Sequence, residues 1–305
     1  MANCCQQHGE VIGGAGLYVV QPFFSDNPAI SFFIQGTGPG RREDISHSME
    51  AAPLFWLGYR DDSGLGIRGR WWYFRQDTEQ DFLFLPTQAG QTLTVLSAGP
   101  LGAAIIQNNP QAFAITSKLQ LQVADLEAFQ ETTFCNWRLL FAGGVGYADI
   151  TQNYDAFAIA SSGSATRPLF SGSSFVGIGP VLALEARRPL CESPFSLYGS
   201  TRTRVLFGSA KQTVFGGDAL QGSQEARQDG VVAIEELELG VEFARCIGRA
   251  RLFSQVGMVG QEWFGAGNAT RSSRSAPPAT IPTFSTEDNS NFGLFGLAFR
   301  MGVEF

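Results

Sequence analysis

The chain has 305 residues, of which 36 are Gly, 26 are Phe and only 16% are charged, with a formal net charge of −7. No apolar run approaches the roughly 20 residues of a membrane-spanning helix, and a pI near 5 argues against a nucleic-acid-binding surface. Gly and Phe in excess over charge instead suit a closed antiparallel barrel, whose Phe side chains face lipid.

Residues 1–14 read as a periplasmic N-terminal tail that carries Cys4, Cys5 and His8. Met1 to Glu10 lack the basic and apolar regions of a secretory signal, which points to a mature or re-engineered form with a replacement Met. No linker divides the rest of the chain, so residues 15–305 read as a single barrel domain.

The first expected strand covers 15–24. A long connection, 25–52, holds His47 among Asp44, Ser46, Ser48 and Glu50. A lone loop histidine in such company is ordinarily solvated surface, and the chain carries no nucleophile–base constellation beyond it, so no enzyme is expected. Strands at 53–60 and 65–76 flank a short polar turn, Asp61 to Gly64, and place Arg60, Arg68 and Arg70 inward. Trp71, Trp72 and Tyr73 end the third strand as part of an outer aromatic girdle.

After a long connection, 77–111, come strands at 112–129 and 136–150 around the turn Gln130 to Cys135. In the second, Leu139, Phe141, Val145 and Tyr147 oppose Arg138 and small residues. Asp125 and Glu127 would face lipid unless a bulge near Ala124 shifts them inward. Strands at 173–187 and 195–208 bracket the turn Pro189 to Pro194. Val176, Ile178, Leu182 and Leu184 oppose Glu185 and Arg187, and Phe195, Leu197, Val205 and Phe207 oppose Arg202 and Arg204. In the strand at 231–245 the second face is acidic, with Glu236, Glu238 and Glu242. The turn Cys246 to Arg249 leads to 250–264, where Trp263 and Phe264 join the outer girdle. Phe129, Trp137, Phe195 and Phe253 form the periplasmic one.

The last strand, 292–305, alternates most strongly. Phe295, Leu297, Phe299, Met301, Val303 and Phe305 share one face, and Arg300 and Glu304 lie on the other. A chain stopping on Phe305 in such a strand carries the pattern of an assembly signal.

Long and short connections alternate throughout. That asymmetry gives an all-β, transmembrane, antiparallel up-and-down barrel of about ten strands, with short periplasmic turns and long extracellular loops. Asn27–Gln35 and Gln91–Gln107 are apolar enough to be strands; they are placed in the outer loops, and twelve strands is the alternative. Cross-strand pairing, Arg204 with Glu238 for example, is expected to satisfy the lumen charges. Cys4, Cys5, Cys135, Cys191 and Cys246 all fall on the periplasmic side and are candidates for disulfides. Their spacing fits no zinc site.

Several segments carry a family resemblance: "PLFWLGYRDDSGLGIRGRWWYF", "LQLQVADLEAFQ", "NWRLLFAGGVGYADI", "GIGPVLALEARRPL", "GQEWFGAGN" and "FGLAFRMGVEF". From about Gly16 to Phe305 the chain resembles the Lpg1974-like pore-forming outer-membrane proteins, related to the Legionella major outer membrane protein and abundant in planctomycetes. The resemblance implies location in the bacterial outer membrane and pore formation, and it carries over no defined site.

The leading expectation is therefore porin-like passive passage of ions or small solutes through a charged lumen. The competing readings are a non-conducting structural or anchoring barrel of the envelope, and a loop-based adhesin or receptor. Expected partners are outer-membrane lipid and the barrel assembly machinery, then a homo-oligomer or other envelope proteins. Neither cofactor nor metal is called for.

Overall fold

The computed structural model describes residues 9–34, 40–85, 88–160, 165–191, 193–217, 223–270 and 290–305. In chain order the strands are β1 (Glu10–Phe24), β2 (Pro28–Ile34), β3 (Arg41–Asp44), β4 (Glu50–Arg60), β5 (Leu65–Leu83), β6 (Leu93–Ala98), β7 (Ala104–Asn108), β8 (Ala112–Phe134), β9 (Trp137–Ile159), β10 (Ala165–Pro189), β11 (Phe195–Gly216), β12 (Ser223–Ile247), β13 (Ala250–Phe264) and β14 (Phe292–Glu304). Ten of them close a barrel in the order β1-β14-β13-β12-β11-β10-β9-β8-β5-β4, with every neighbouring pair antiparallel. Closure leaves no edge of unpaired backbone groups in lipid. Phe305 extends the seam, exchanging backbone hydrogen bonds with Val11 at 2.7 and 2.9 Å.

The other four strands form a separate sheet, β3-β2-β6-β7. The apolar stretches 27–35 and 91–107 thus do contain strands, and the barrel still has ten. β6 and β7 form a hairpin that pairs with β2, giving the apolar loop segments a sheet of their own.

The wall is uneven in height. β10 and β12 run 25 residues each, β8 and β9 23 each, whereas β4, β13 and β14 have 11, 15 and 13. A tilted strand crosses the hydrocarbon in about 9–11 residues, so more than half of β8 to β12 stands beyond it. The connections 77–111, 151–172 and 209–230 are correspondingly shorter than their sequence suggests, because their flanks continue as strand.

Parity along each strand sorts the side chains. Leu57, Ile67, Phe141, Ile178, Leu182, Phe207, Leu237, Leu239, Met258 and Leu297 are exposed on the outer face as an apolar belt. Carboxylates interrupt it at one height: Glu235 and Glu262 stand opposite each other on the outward parity of β12 and β13, and Glu235 accepts a hydrogen bond from Thr203 Oγ1 at 2.7 Å. Aromatic girdles obey the same parity, which corrects the sequence expectation. Adjacent residues of a strand cannot both face lipid. Trp71, Tyr73 and Phe264 do so, while Trp72 and Trp263 are buried inside, as are Phe129 and Phe253.

Asp125 and Glu127 also face inward, with no bulge. They continue the parity of Leu121 and Val123, and the register of β8 with both its neighbours is unbroken along its length.

Candidate functional site: the lumen

The inner face has three levels, and each is filled. At the periplasmic level lie nine arginines, Arg60, Arg68, Arg70, Arg138, Arg187, Arg202, Arg204, Arg251 and Arg300. They are ion-paired with nine carboxylates, Glu10, Asp125, Glu127, Glu131, Glu185, Glu236, Glu238, Glu242 and Glu304. The layer is formally neutral.

Some pairs join adjacent strands. Arg68 sits opposite Glu127 in the β5–β8 register and reaches its Oε2 at 2.7 Å. Others cross the lumen: Arg204 on β11 grips Asp125 on β8 through Nε at 2.8 Å and Nη2 at 2.6 Å, and Arg70 on β5 reaches Glu236 on β12 at 2.7 Å. Arg202 bridges Glu127 at 2.8 Å and Glu236 at 3.3 Å. Planar, multi-donor guanidinium groups suit such bridging, which accounts for a network built on Arg.

The expected Arg204–Glu238 pair does not form. Arg204 stands opposite Ile234 and Glu238 opposite Ser200, four residues away along the strand. Glu238 instead pairs with Arg300 and accepts from the Tyr198 hydroxyl at 2.7 Å. Tyr18 is a neutral hub nearby, its oxygen accepting from Arg70 Nη2 at 2.5 Å and Arg300 Nη2 at 2.8 Å. Gln255 and Gln261 donate to Glu242 and Glu236 at 2.7 and 2.9 Å.

Glycine makes room for this layer. A Cβ on Gly66 would lie 2.3 Å from the Phe129 ring, and one on Gly302 would lie 2.4 Å from the Phe253 ring. The tip of each ring reaches over bare backbone, and Arg68 and Arg251 sit over the ring faces at 5.8 and 5.6 Å. A gap within the layer, bordered by Arg68, Arg70, Glu185, Arg187, Arg202 and Arg300, measures about 30 Å³, room for a single water.

Above lies an apolar layer. Tyr18, Leu54, Trp72, Phe74, Leu121, Val123, Ile150, Phe175, Leu206, Ile234, Trp263 and Phe292 form one buried cluster inside the barrel. Trp72 packs edge-on to both Tyr18 and Trp263, each at 6.2 Å, and Trp263 stacks on Phe292 at 5.4 Å.

The third level is the four-stranded loop sheet against the inner face of the tall wall. Ala29, Ile30, Leu93, Val95 and Ile105 pack on Phe113, Ile115, Tyr154, Leu169 and Val214. Polar pins fix the fit. The Tyr154 hydroxyl donates to the Ala29 carbonyl at 2.7 Å and lies 2.7 Å from Ser97 Oγ, and Ser171 Oγ donates to the Ala269 carbonyl at 2.7 Å. Gln21 and Gln76 donate to the carbonyls of His47 and Ser48, each at 2.7 Å.

His47 is buried in this docked loop, with Asn27 Nδ2 2.8 Å from Nε2, Thr78 Oγ1 3.5 Å from Nδ1 and the Phe24 ring at 5.2 Å. Its partners are thus packing groups, and Ser48 turns to Glu50 at 3.3 Å. Burial pushes the imidazole down to about 4 from an ordinary value near 6.5.

Among the sequence-derived lumen residues, Arg60, Arg68, Arg70, Glu185, Arg187, Arg202, Arg204, Glu236, Glu238, Glu242 and Arg300 all enter the charged layer, and Arg138 lies half-exposed at its periplasmic rim. Sequence reasoning misses Glu10, Glu131 and Arg251. The first falls in the expected tail and the second in an expected turn, whereas the parity of β13, with Arg251 in phase with Gln255, is the signal that could have found the third.

The candidate cysteines divide. Cys135 and Cys191 are free and exposed. They sit at positive φ, 53° and 54°, in two turns about two strand spacings, roughly 10 Å, apart. A disulfide needs its Cα atoms within about 7 Å. Cys246 is disulfide-bonded, while Cys4 and Cys5 lie outside the described residues. Phe305 is exposed on the outer face of the closing seam.

Among solved structures the chain is similar to the outer-membrane protease OmpT from Escherichia coli, at 10% identity and TM-score 0.46, covering 97% of this chain and 96% of that one. It is also similar to the Pseudomonas putida toluene transporter TodX, at 8% identity and TM-score 0.26 over 98% and 90%, and to a Pseudomonas aeruginosa FadL homologue, at 8% and 0.26 over 98% and 90%. No curated protein matches. The family model described as the Legionella pneumophila major outer membrane protein precursor matches residues 3–305. The chain therefore belongs to the Legionella major outer membrane protein family and is a β-barrel of the bacterial outer membrane.

Proposed function

We propose that this protein is a closed structural barrel of the outer membrane, which holds a tall extracellular wall and a docked loop sheet above the lipid surface and passes no solute. The observation that carries this reading is the filling of the lumen at all three levels: a charge-neutral Arg–carboxylate layer, an apolar core across the middle and a loop sheet at the mouth. A rigid interior of this kind suits an element that anchors or organises its surroundings.

Porin-like passage is the competing reading, favoured by the resemblance to pore-forming proteins. It requires the loop sheet to leave, the Trp72–Trp263 contact to open and the paired charges to part, all in one molecule. Planar-bilayer recording of the purified protein separates the two. Silent insertion, verified by protease protection of the barrel, is expected; reproducible unitary current steps would replace the closed reading with the porin one.

A further inference from the structure

Outside the lumen, the polar outer face of the tall wall holds an aromatic patch where lipid does not reach. Along β9, Asp155 lies eight residues beyond Tyr147 at the top of the apolar belt, or about 20 Å above it for a tilted strand. At that height Phe157, Phe170 and Phe215 come together from β9, β10 and β11. Phe157 meets Phe170 edge-on at 5.5 Å and 83°, and the Phe170 and Phe215 rings lie 6.1 Å apart at 33°. Phe215 is half exposed.

Register puts two rows side by side across the sheet. One runs Asp155, Phe170, Phe215, Ser223, and the next runs Lys118, Asn153, Gly172, Thr213. Gly172 is the floor: a Cβ there would fall 2.8 Å from Thr213 Oγ1 and 3.2 Å from Asn153 Oδ1, so those two polar atoms converge over bare backbone. The result is an open groove of about 450 Å³ bordered by Phe170, Phe215, Lys118, Asn153, Asp155 and Thr213.

An apolar platform beside a ring of amide, carboxylate, hydroxyl and ammonium groups matches one ligand chemistry well. A pyranose has an apolar C–H face that covers an aromatic ring and equatorial hydroxyls that both donate and accept. We infer that this groove binds a saccharide, its C–H face on Phe170 and Phe215 and its hydroxyls on Asn153, Asp155, Thr213 and Lys118. The inference is independent of whether the lumen conducts.

The test is saturation-transfer NMR on the intact protein, held in a detergent without a sugar headgroup. The probes are maltotriose, N-acetylglucosamine trisaccharide and the core oligosaccharide released from outer-membrane glycolipid, the last arm separating a membrane-borne glycan from a free one. Transfer to pyranose ring protons of at least one probe is expected. Phe170→Ala should weaken it about tenfold, and Gly172→Val should abolish it by filling the floor, with heat-modifiable migration on gels verifying that both variants retain the barrel. If no probe shows transfer at millimolar concentration, or if Phe170→Ala binds as tightly as the parent, the saccharide site is overturned.

Discussion

Arg204 and Asp125 belong to strands three positions apart in the wall, yet they meet inside the barrel in a two-point contact at 2.8 and 2.6 Å, with neither side chain reachable by solvent. A buried ion pair gains little over an apolar replacement, but losing one partner strands the other charge. Asp125→Asn is therefore expected to lower stability by about 3–5 kcal/mol, read as a shift of the urea unfolding midpoint in micelles. Asp125→Leu combined with Arg204→Met should recover most of that loss. A single variant as stable as the parent would mean that the pair is dispensable.

Docking of the first long loop should depend on pH through His47. Its folded value, about 4, lies below the ordinary value near 6.5. Above pH 6.5 the ring is neutral whether docked or released, and docking is at full strength. Between 6.5 and 4 only the released loop takes up the proton, so docking weakens as pH falls, by about 3 kcal/mol in all. Hydrogen exchange over residues 45–48, corrected for intrinsic rate, should rise from pH 7 to pH 4.5. His47→Gln should flatten that response, and an unchanged slope in this variant would assign the effect to another group.

Trp72 is, with Trp263, one of the two largest side chains in the apolar layer, and it is locked between Tyr18 and Trp263. Trp72→Ala should cost about 3–5 kcal/mol through the cavity it leaves. It should not open a current path, since the charged layer beneath is untouched. Urea unfolding and bilayer recording on the same preparation check both halves, and current from this variant alone would place the barrier in the apolar layer.

Thiol chemistry gives a test of sidedness. Cys135 and Cys191 should react with a membrane-impermeant maleimide in the purified native protein without reductant, and Cys246 only after reduction. On intact cells neither free thiol should be labelled, because both turns face the periplasm. Labelling of Cys135 on intact cells would invert the topology.

Period-two alternation makes every barrel strand legible, and the closing strand most clearly, because one face of each must suit lipid whatever the other does. The same rule resolves Trp71 from Trp72, but composition at a strand end draws attention to the aromatic pair and away from its parity. Arg204–Glu238 fails for a different reason: strand order identifies the neighbours, whereas the register that offsets these residues has no local signature. Beyond the reach of sequence lies contact across the lumen, such as Arg70 with Glu236 or Tyr154 with Ala29. Such contacts depend on how the wall curves and where a loop folds back, and no local pattern encodes either.

The unequal strand lengths have a consequence for neighbours in the membrane. A cylinder of even height offers the same flank in every direction, but this one does not. A protein drifting up to β8 to β12 meets a screen continuing well past the lipid, whereas one arriving at β4, β13 or β14 meets a flank that ends near it. Side-by-side packing is thus biased by compass direction, and any array the molecule joins inherits a heading from one molecule alone.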